Sequence, residues 1–281
     1  MKPALVIISH YNAWPTDQLV ALLDQIHDIP SGHPFQCLVV VNQAIDRPLE
    51  LPERHSEHRI LYRENTGYNI GAWEYGWRNG PPAEYYLFLQ EECQIASPNW
   101  LGSFVRLLSR PEVGVVGERL TFRGLTWKRI EFFQNGYPFQ GLPGDEPIGH
   151  VDGLKRSLKA RGVPLGRRGD HLQSFILASR RNVLEAIDGF MIGHSKGDAI
   201  ACELAISLMT VARGMKLKQV GTLPFRYIHH PQWMFLENGW FTLVIESIDR
   251  FLPLALTASA KRTVYKVKKM VTGKPHYWEI P

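Results

Sequence analysis

Tyr85-Tyr86-Leu87-Phe88-Leu89-Gln90-Glu91-Glu92-Cys93 is an apolar run of strand length that ends abruptly in adjacent acids. Ser97-Pro98-Asn99-Trp100 follows and predicts the start of a helix. Buried strands of a parallel sheet read as unbroken apolar runs, and such sheets gather their ligands at the strands' carboxyl ends. Carboxylates at that point can hold a hard divalent cation against a phosphate. A Glu-Glu pair on its own is more often a solvated loop cap. What it does here depends on how the rest of the chain is arranged around it.

Upstream, residues 4–9 read as a buried strand that stops at Ser9-His10-Tyr11-Asn12. Pro15-Thr16 then opens a helix with Thr16 as its cap, and Leu19, Leu22, Leu23 and Ile26 give that helix one apolar face. Residues 37–41 form a second strand ending at Asn42. Residues 59–62 form a third, followed by Glu64-Asn65-Thr66-Gly67-Tyr68-Asn69-Ile70-Gly71-Ala72 and a helix over 70–77. Downstream, Leu101, Phe104, Val105 and Leu108 mark a helix, and residues 113–116 the next strand. This alternation predicts a parallel sheet covered on both faces. Strand exits at Ser9, Asn42, Glu64 and Gln90 would lie along one edge, where a nucleotide should sit.

From Glu118 to Asp170 the pattern breaks down into Gly, Pro and aromatics (Trp127, Phe132, Phe133, Tyr137, Phe139) with a basic cluster of Lys155, Arg156, Lys159, Arg161, Arg167 and Arg168. Such an insertion reads as a loop-rich wall on the acceptor side. Regularity returns with a strand over 175–178, a helix over 180–187, the turn Asp188-Gly189-Phe190 and a long helix over 198–213 that Gly214 stops. Residues 216–220 and 225–231 read as edge strands. In the tail, Lys261, Arg262, Lys266, Lys268, Lys269 and Lys274 alternate with Val264, Val267 and Val271. A basic amphipathic helix of this kind can lie on an anionic membrane or pack on the domain as a solvated helix.

The 281 residues suffice for one large α/β domain or two small ones, and 44% hydrophobic with 21% charged residues is ordinary for a globular protein. The net charge of +5 favours anionic partners without choosing among them. Cys37, Cys93 and Cys202 are odd in number and far apart, which predicts free thiols in a reducing compartment. The apolar stretch after Met1-Lys2-Pro3 is too short for a signal-peptide core, and no run approaches the roughly 20 apolar residues of a membrane span. A cytoplasmic chain, at most peripheral on the membrane, is expected.

The order of these pieces resembles the GT-A glycosyltransferases of the family 2 type: strand then Ser-His-Tyr-Asn, strand then Asn, strand then Glu-Asn-x-Gly, strand then acids, and later a Gly-Phe turn before an acid-bearing helix. The segment Glu64 to Trp73 is most similar to rhamnan-synthesis-type members, which usually carry Asp at the place of Asn69. The resemblance implies an α/β, GT-A (Rossmann-like), mostly parallel sheet flanked by helices. Residues 1–240 would form the transferase domain and 241–281 a basic C-terminal helical extension. It implies nucleotide-sugar contacts from Ser9, His10, Tyr11, Asn12, Asn42, Asn65, Gly67, Asn69, Gln90 and Glu91. The family's Phe-Leu-Asp-x-Asp signature falls on Phe88-Leu89-Gln90-Glu91-Glu92, so the first Asp has become Gln90 and the metal-binding acid would be Glu92. That departure bears on how strictly a Mn²⁺ or Mg²⁺ cofactor would be needed. His229 or His230 would be a further metal or phosphate contact. Counting back from Gly214 places Glu203 as the catalytic base, with Asp198, which can also be only a helix cap, as the competing candidate. Arg167 and Arg168 could add positive charge to the diphosphate, in the fork geometry that suits phosphate oxygens.

The activity so implied is inverting transfer of a hexose or deoxyhexose from a nucleotide-diphosphate sugar to a glycan or lipid-linked acceptor in surface polysaccharide biosynthesis. A catalytically inactive nucleotide- or glycan-binding module is the alternative. A dinucleotide-binding enzyme is excluded by the absence of glycine from Ser9 to Trp14, and no motif that reads nucleic acid is present.

Overall fold

A computed structural model of the chain describes residues 3–134, 151–173, 175–194 and 196–231, with further helical positions between 244 and 271. The central strand is β1 (Ala4–Tyr11). Its Val6 and Ile8 face one core while Leu5 and Ile7 face another, as the two-residue period of a strand covered on both sides requires. Helix α1 (Asp17–Asp28) lays Leu19, Leu22, Leu23 and Ile26 on the first face. The chain then adds β2 (Phe35–Gln43), β3 (Arg59–Glu64), α2 (Tyr68–Asn79) and β4 (Tyr85–Gln90). After β5 (Gln94–Ile95), α3 (Trp100–Leu108) joins α1 on the first face.

Strands β6 (Val113–Gly117) and β7 (Leu120–Thr121) lead to α4 (Trp127–Gln134) and α5 (Val151–Ala160). Then come β8 (His171–Leu172), β9 (Ile176–Arg180), α6 (Arg181–Ala186), α7 (Lys196–Ala212), β10 (Lys216–Gln219) and β11 (Ile228–His229). The second face of the sheet is covered by α2, α6 and α7 through Trp73, Trp77, Leu184, Cys202 and Ile206.

The seven-stranded sheet has the order β10-β6-β9-β4-β1-β2-β3. Every neighbouring pair is parallel except those of β9, which runs antiparallel to both β4 and β6. The alternation of the sequence predicts a parallel sheet; β9 departs from it for a topological reason. The insertion leaves β6 at the sheet's carboxyl edge and delivers β9 at that same edge, so no crossover helix turns the chain around.

The sheet is mostly parallel, as expected; three other expectations are corrected. Thr16 makes no side-chain capping bond to α1, and the first-turn acid Asp17 supplies the favourable charge instead. The 118–170 insertion is less loop-like than it reads. In it α4 and α5 pack Ile130, Val151 and Leu158 against Leu204, Ala205 and Leu208 of α7 in a third core cluster, with Lys155 bonded to Glu131 at 2.5 Å. The basic residues of α5 hid its helical period because its apolar stripe is only a few residues wide. Tyr137 and Phe139, and the side chains of Phe132 and Phe133, lie outside the described residues. Finally, the strand read over 225–231 shrinks to β11, whose Ile228 and His229 pair antiparallel with Ile95 and Gln94.

Candidate active site

The register of the sheet builds the site. Ser9 stands opposite Gln90, Tyr11 opposite Asn42, and Asn42 opposite Arg63, so the polar residues that end four strands lie side by side. Ser9, His10, Asn12, Asn42, Gln90 and Glu91 are all buried, and buried polar groups need partners. Ser9 Oγ donates to Asn69 Oδ1 at 3.0 Å and to the Leu89 carbonyl at 3.4 Å, which also accepts Trp73 Nε1 at 3.0 Å. Asn12 shapes the turn after β2: its Oδ1 accepts the amide of Ala44 at 2.8 Å, and its Nδ2 donates to the Ile45 carbonyl at 2.8 Å. Asn42 Nδ2 donates to the Tyr68 carbonyl at 3.2 Å, and its Oδ1 accepts Arg63 Nη1 at 2.5 Å. Arg63 also holds the carbonyl and hydroxyl of Thr66, both at 2.7 Å.

These bonds pin the half-buried Asn65 and Asn69 beside the ends of β1 and β2. Gly67 between them has φ +71°, and a Cβ there would come within 2.5 Å of Ile192 Cγ2. Only glycine meets both demands. Gly193, the next residue, lies against the backbone of Asp198 and Ala199, so the first turn of α7 is brought up to the Asn65–Gly67 loop.

The acids after β4 take different roles. Glu91 is 3% exposed and turned inward; His10 Nδ1 donates to its Oε2 at 2.5 Å and the Tyr11 amide to its Oε1 at 3.1 Å. It straps the end of β1 to the end of β4, each oxygen accepting one hydrogen bond. Glu92 is half-buried and lines a cavity of about 520 Å³ with Trp14, Asp17, Gln18 and His230. Burial raises its carboxyl above the usual range, and the charge of Glu91 pushes the same way. Trp14 is 49% exposed and stands edge-on to Tyr11 with ring centroids 5.6 Å apart. A second hollow, of about 560 Å³, lies against α1 and is lined by Thr16, Asp17, Asp24 and Glu50, away from the ends of β1 and β4.

Gln90 and His230, 140 residues apart, meet: His230 Nε2 donates to Gln90 Oε1 at 3.1 Å. Burial lowers the imidazole to about 4, so it is neutral at pH 7, and Phe175 packs on it with centroids 4.5 Å apart. Its Nδ1 lone pair is buried without a hydrogen-bond partner among the described residues. His229, by contrast, sits half-buried in the β11–β5 ladder.

On α7, Asp198 is tied into a bridge: Arg161 Nη2 lies 3.0 Å from its Oδ2, and Ser157 Oγ donates to its Oδ1 at 3.1 Å. Those contacts hold α5 to the start of α7. Glu203 is half-buried on the same helix, four residues before Ser207, whose Oγ accepts the Leu172 amide at 3.0 Å. Between the two acids lies Cys202, pushed up to about 11 by burial, with Arg161 opposing and Asp198 and Glu203 adding to the rise. Arg167 and Arg168 are exposed on the segment after α5, where Arg168 bridges Thr126 through the backbone.

Two residues that organise the site escape a reading of the sequence. Glu118, 1% exposed, accepts the amides of Arg226 (2.9 Å), Tyr227 (3.0 Å) and Ile228 (2.8 Å), and so positions the strand that carries His230. Burial raises it to about 8 against the opposing pull of those three amides. Its signal was available, since Glu118 follows a buried strand as Glu91 follows β4. Glu74 accepts Trp77 Nε1 at 2.6 Å and the Phe190 amide at 2.7 Å and pairs with Arg78, which anchors the turn before α7.

Whether these residues suit a divalent cation follows from their donors. Among the described residues no three His, Cys, Asp or Glu side chains are grouped to hold a metal. Gln90 Oε1 accepts from His230 and both oxygens of Glu91 accept from β1, while Glu92 and Asp17 are the acids on the cavity wall. That suits an ion shared with a substrate's phosphates, as Mg²⁺ and Mn²⁺ often are, rather than a metal caged by protein alone.

A mixed sheet of this order, with its polar strand ends gathered along one edge, is the GT-A glycosyltransferase type of fold. The chain is similar in structure to the mannosyltransferase PcManGT of Pyrobaculum calidifontis, solved in complex with GDP-Man and Mn²⁺. The TM-score is 0.50 at 15% identity over 97% of this chain and 76% of that one. A likeness to TarS (1–349) of S. aureus has a TM-score of 0.47 at 14% identity, over 96% of this chain and 74% of that one. In sequence, 155 residues (52% of this chain) are 28% identical to the O-antigen biosynthesis protein RfbC of Myxococcus xanthus, of which they span 11%. No family profile matches the chain.

Proposed function

We propose that this chain is a glycosyltransferase that moves a sugar from a nucleotide-diphosphate donor to a hydroxyl of a glycan or lipid-linked acceptor, with inversion, in surface polysaccharide biosynthesis. The observation that carries the reading is the edge where β1, β2, β3 and β4 end, with Asn42 bonded to the Tyr68 carbonyl, Asn69 to Ser9 and Gln90 to His230, and Glu92 lining a cavity with His230. The fold shared with PcManGT and the sequence likeness to RfbC support it.

In this reading Ser9 and Asn12, with Asn42, Asn65 and Asn69, shape the loops that receive the nucleotide. His10, Tyr11 and Glu91 fix the end of β1 against β4. Trp14 offers an exposed ring to the base or sugar. A Mn²⁺ or Mg²⁺ ion, when bound, would be held by Glu92 and would neutralise charge on the departing diphosphate. His230, kept neutral, presents its Nδ1 lone pair as an acceptor, with His229 beside it in the chain. Arg167 and Arg168 would add positive charge to the phosphates. Glu203 takes the proton from the acceptor hydroxyl as it attacks the anomeric carbon. Asp198, already committed to Arg161 and Ser157, holds the helix in place.

The test is turnover over a panel of UDP-, GDP- and dTDP-sugars with glycan acceptors, read as release of nucleotide diphosphate. Release from one donor that depends on the acceptor is expected. One observation favours a second reading, a binding module: Gln90 is neutral and its partner His230 is neutral too. A melting shift with a nucleotide diphosphate but no turnover with any donor would select it.

A further inference from the structure

Beyond the sheet, the segment after residue 244 carries a face that the domain leaves uncovered. Its root is fixed: Ile248 is buried, and Arg129 of α4 bonds to the Leu252 carbonyl. Around and beyond it four apolar side chains turn outward, while Ala260, Val264 and Val267 are half-buried. Phe251 is 71% exposed, Leu256 58%, Met270 78% and Val271 70%. The described positions 256, 260–261, 263–264, 266–267 and 270–271 are helical. At about 100° per residue, Leu256, Ala260, Val264, Val267, Met270 and Val271 share one arc of about 120°. Lys261 and Lys266 fall outside that arc. No Asp or Glu occurs from Phe251 to Trp278.

We propose that this helix docks the protein flat on an anionic lipid surface, its Leu256–Val264–Met270–Val271 side entering the acyl boundary and its lysines meeting the headgroups. An apolar stripe alone would fit a second copy or a partner helix equally well. The charge decides between them, because a flank of lysines with no acid in it complements a negative surface and repels a second copy of itself. Among the described residues no helix is long and apolar enough to cross a membrane, so attachment here is by the surface. The inference stands whether or not the chain transfers sugars.

The experiment is co-sedimentation of the full chain with vesicles of phosphatidylcholine alone, and with about one part phosphatidylglycerol to three of phosphatidylcholine. Binding to the anionic vesicles at low salt, at least tenfold weaker on neutral ones and weakened by high salt, is expected. Lys261→Glu with Lys266→Glu should reduce it at least tenfold, and Leu256→Ser with Met270→Ser likewise, both with an unchanged melting temperature. Equal binding to both vesicles, binding to neither, or wild-type binding by both variants would overturn the proposal. So would a dimer that Leu256→Ser and Met270→Ser dissolve in the absence of vesicle binding.

Discussion

Replacing Gly189 by alanine tests how the turn before α7 is held. Gly189 has φ +71° and follows Asp188 at φ +57°, so two successive residues are left-handed. Alanine in that conformation costs about 1–2 kcal/mol. The new Cβ would also land on Glu74 Oε2 and come within 2.9 Å of Trp77 Cζ2. Glu74 cannot move aside without giving up the Phe190 amide at 2.7 Å and Trp77 Nε1 at 2.6 Å. A hydrogen bond to a charged group contributes about 1.5–3 kcal/mol. The backbone cost with one of those bonds lost gives about 2.5–5 kcal/mol, and with both lost about 4–8 kcal/mol, large for a domain whose whole stability is roughly 5–15 kcal/mol. Urea unfolding followed by tryptophan fluorescence measures it, provided the m-value is unchanged. A loss below about 1 kcal/mol would refute the reasoning, because the backbone conformation alone should exceed it.

Glu118 makes a pH signature. Its folded-state carboxyl is raised from 4.5 to about 8, so its contribution is fully present below 4.5 and is lost as pH rises through 8. At about 1.36 kcal/mol per pH unit the whole swing is on the order of 5 kcal/mol. The stability of the wild type relative to Glu118→Gln should therefore fall between pH 5 and 8 in urea titrations; a difference that does not change with pH would contradict it. For Glu92→Ala, calorimetry with a nucleotide diphosphate should show that the gain in affinity given by Mn²⁺ to the wild type disappears. A gain that survives would remove Glu92 from any metal role.

How much of this was legible in the sequence varies from element to element. Strands β1, β2 and β4 carry buried apolar runs where the sequence put them, and β4 ends at Gln90 as read, while β1 runs on to Tyr11 and β2 to Gln43. The direction of β9 was not legible, because an apolar run carries no arrow and only the edge at which the insertion returns fixes it. The pairing of Gln90 with His230 was hidden for a related reason. Both residues stood out singly, but nothing in the spacing of residues 140 apart says that they touch. Glu91 shows the opposite limit: its place beside Glu92 suggested a shared role, and the turn that follows β4 points it inward to His10 instead. In α5 the many lysines and arginines on the solvent side masked a short apolar stripe, so a helix read as a loop.

The most direct test of the proposed transfer, with Glu203 as its base, is Glu203→Gln, assayed for both donor binding and turnover with the donor and acceptor that the wild type uses. Donor affinity should stay within about twofold while turnover falls by at least about 100-fold, the usual contribution of a general base. Turnover at the wild-type rate with donor binding intact would contradict the assignment of α7 to the reaction.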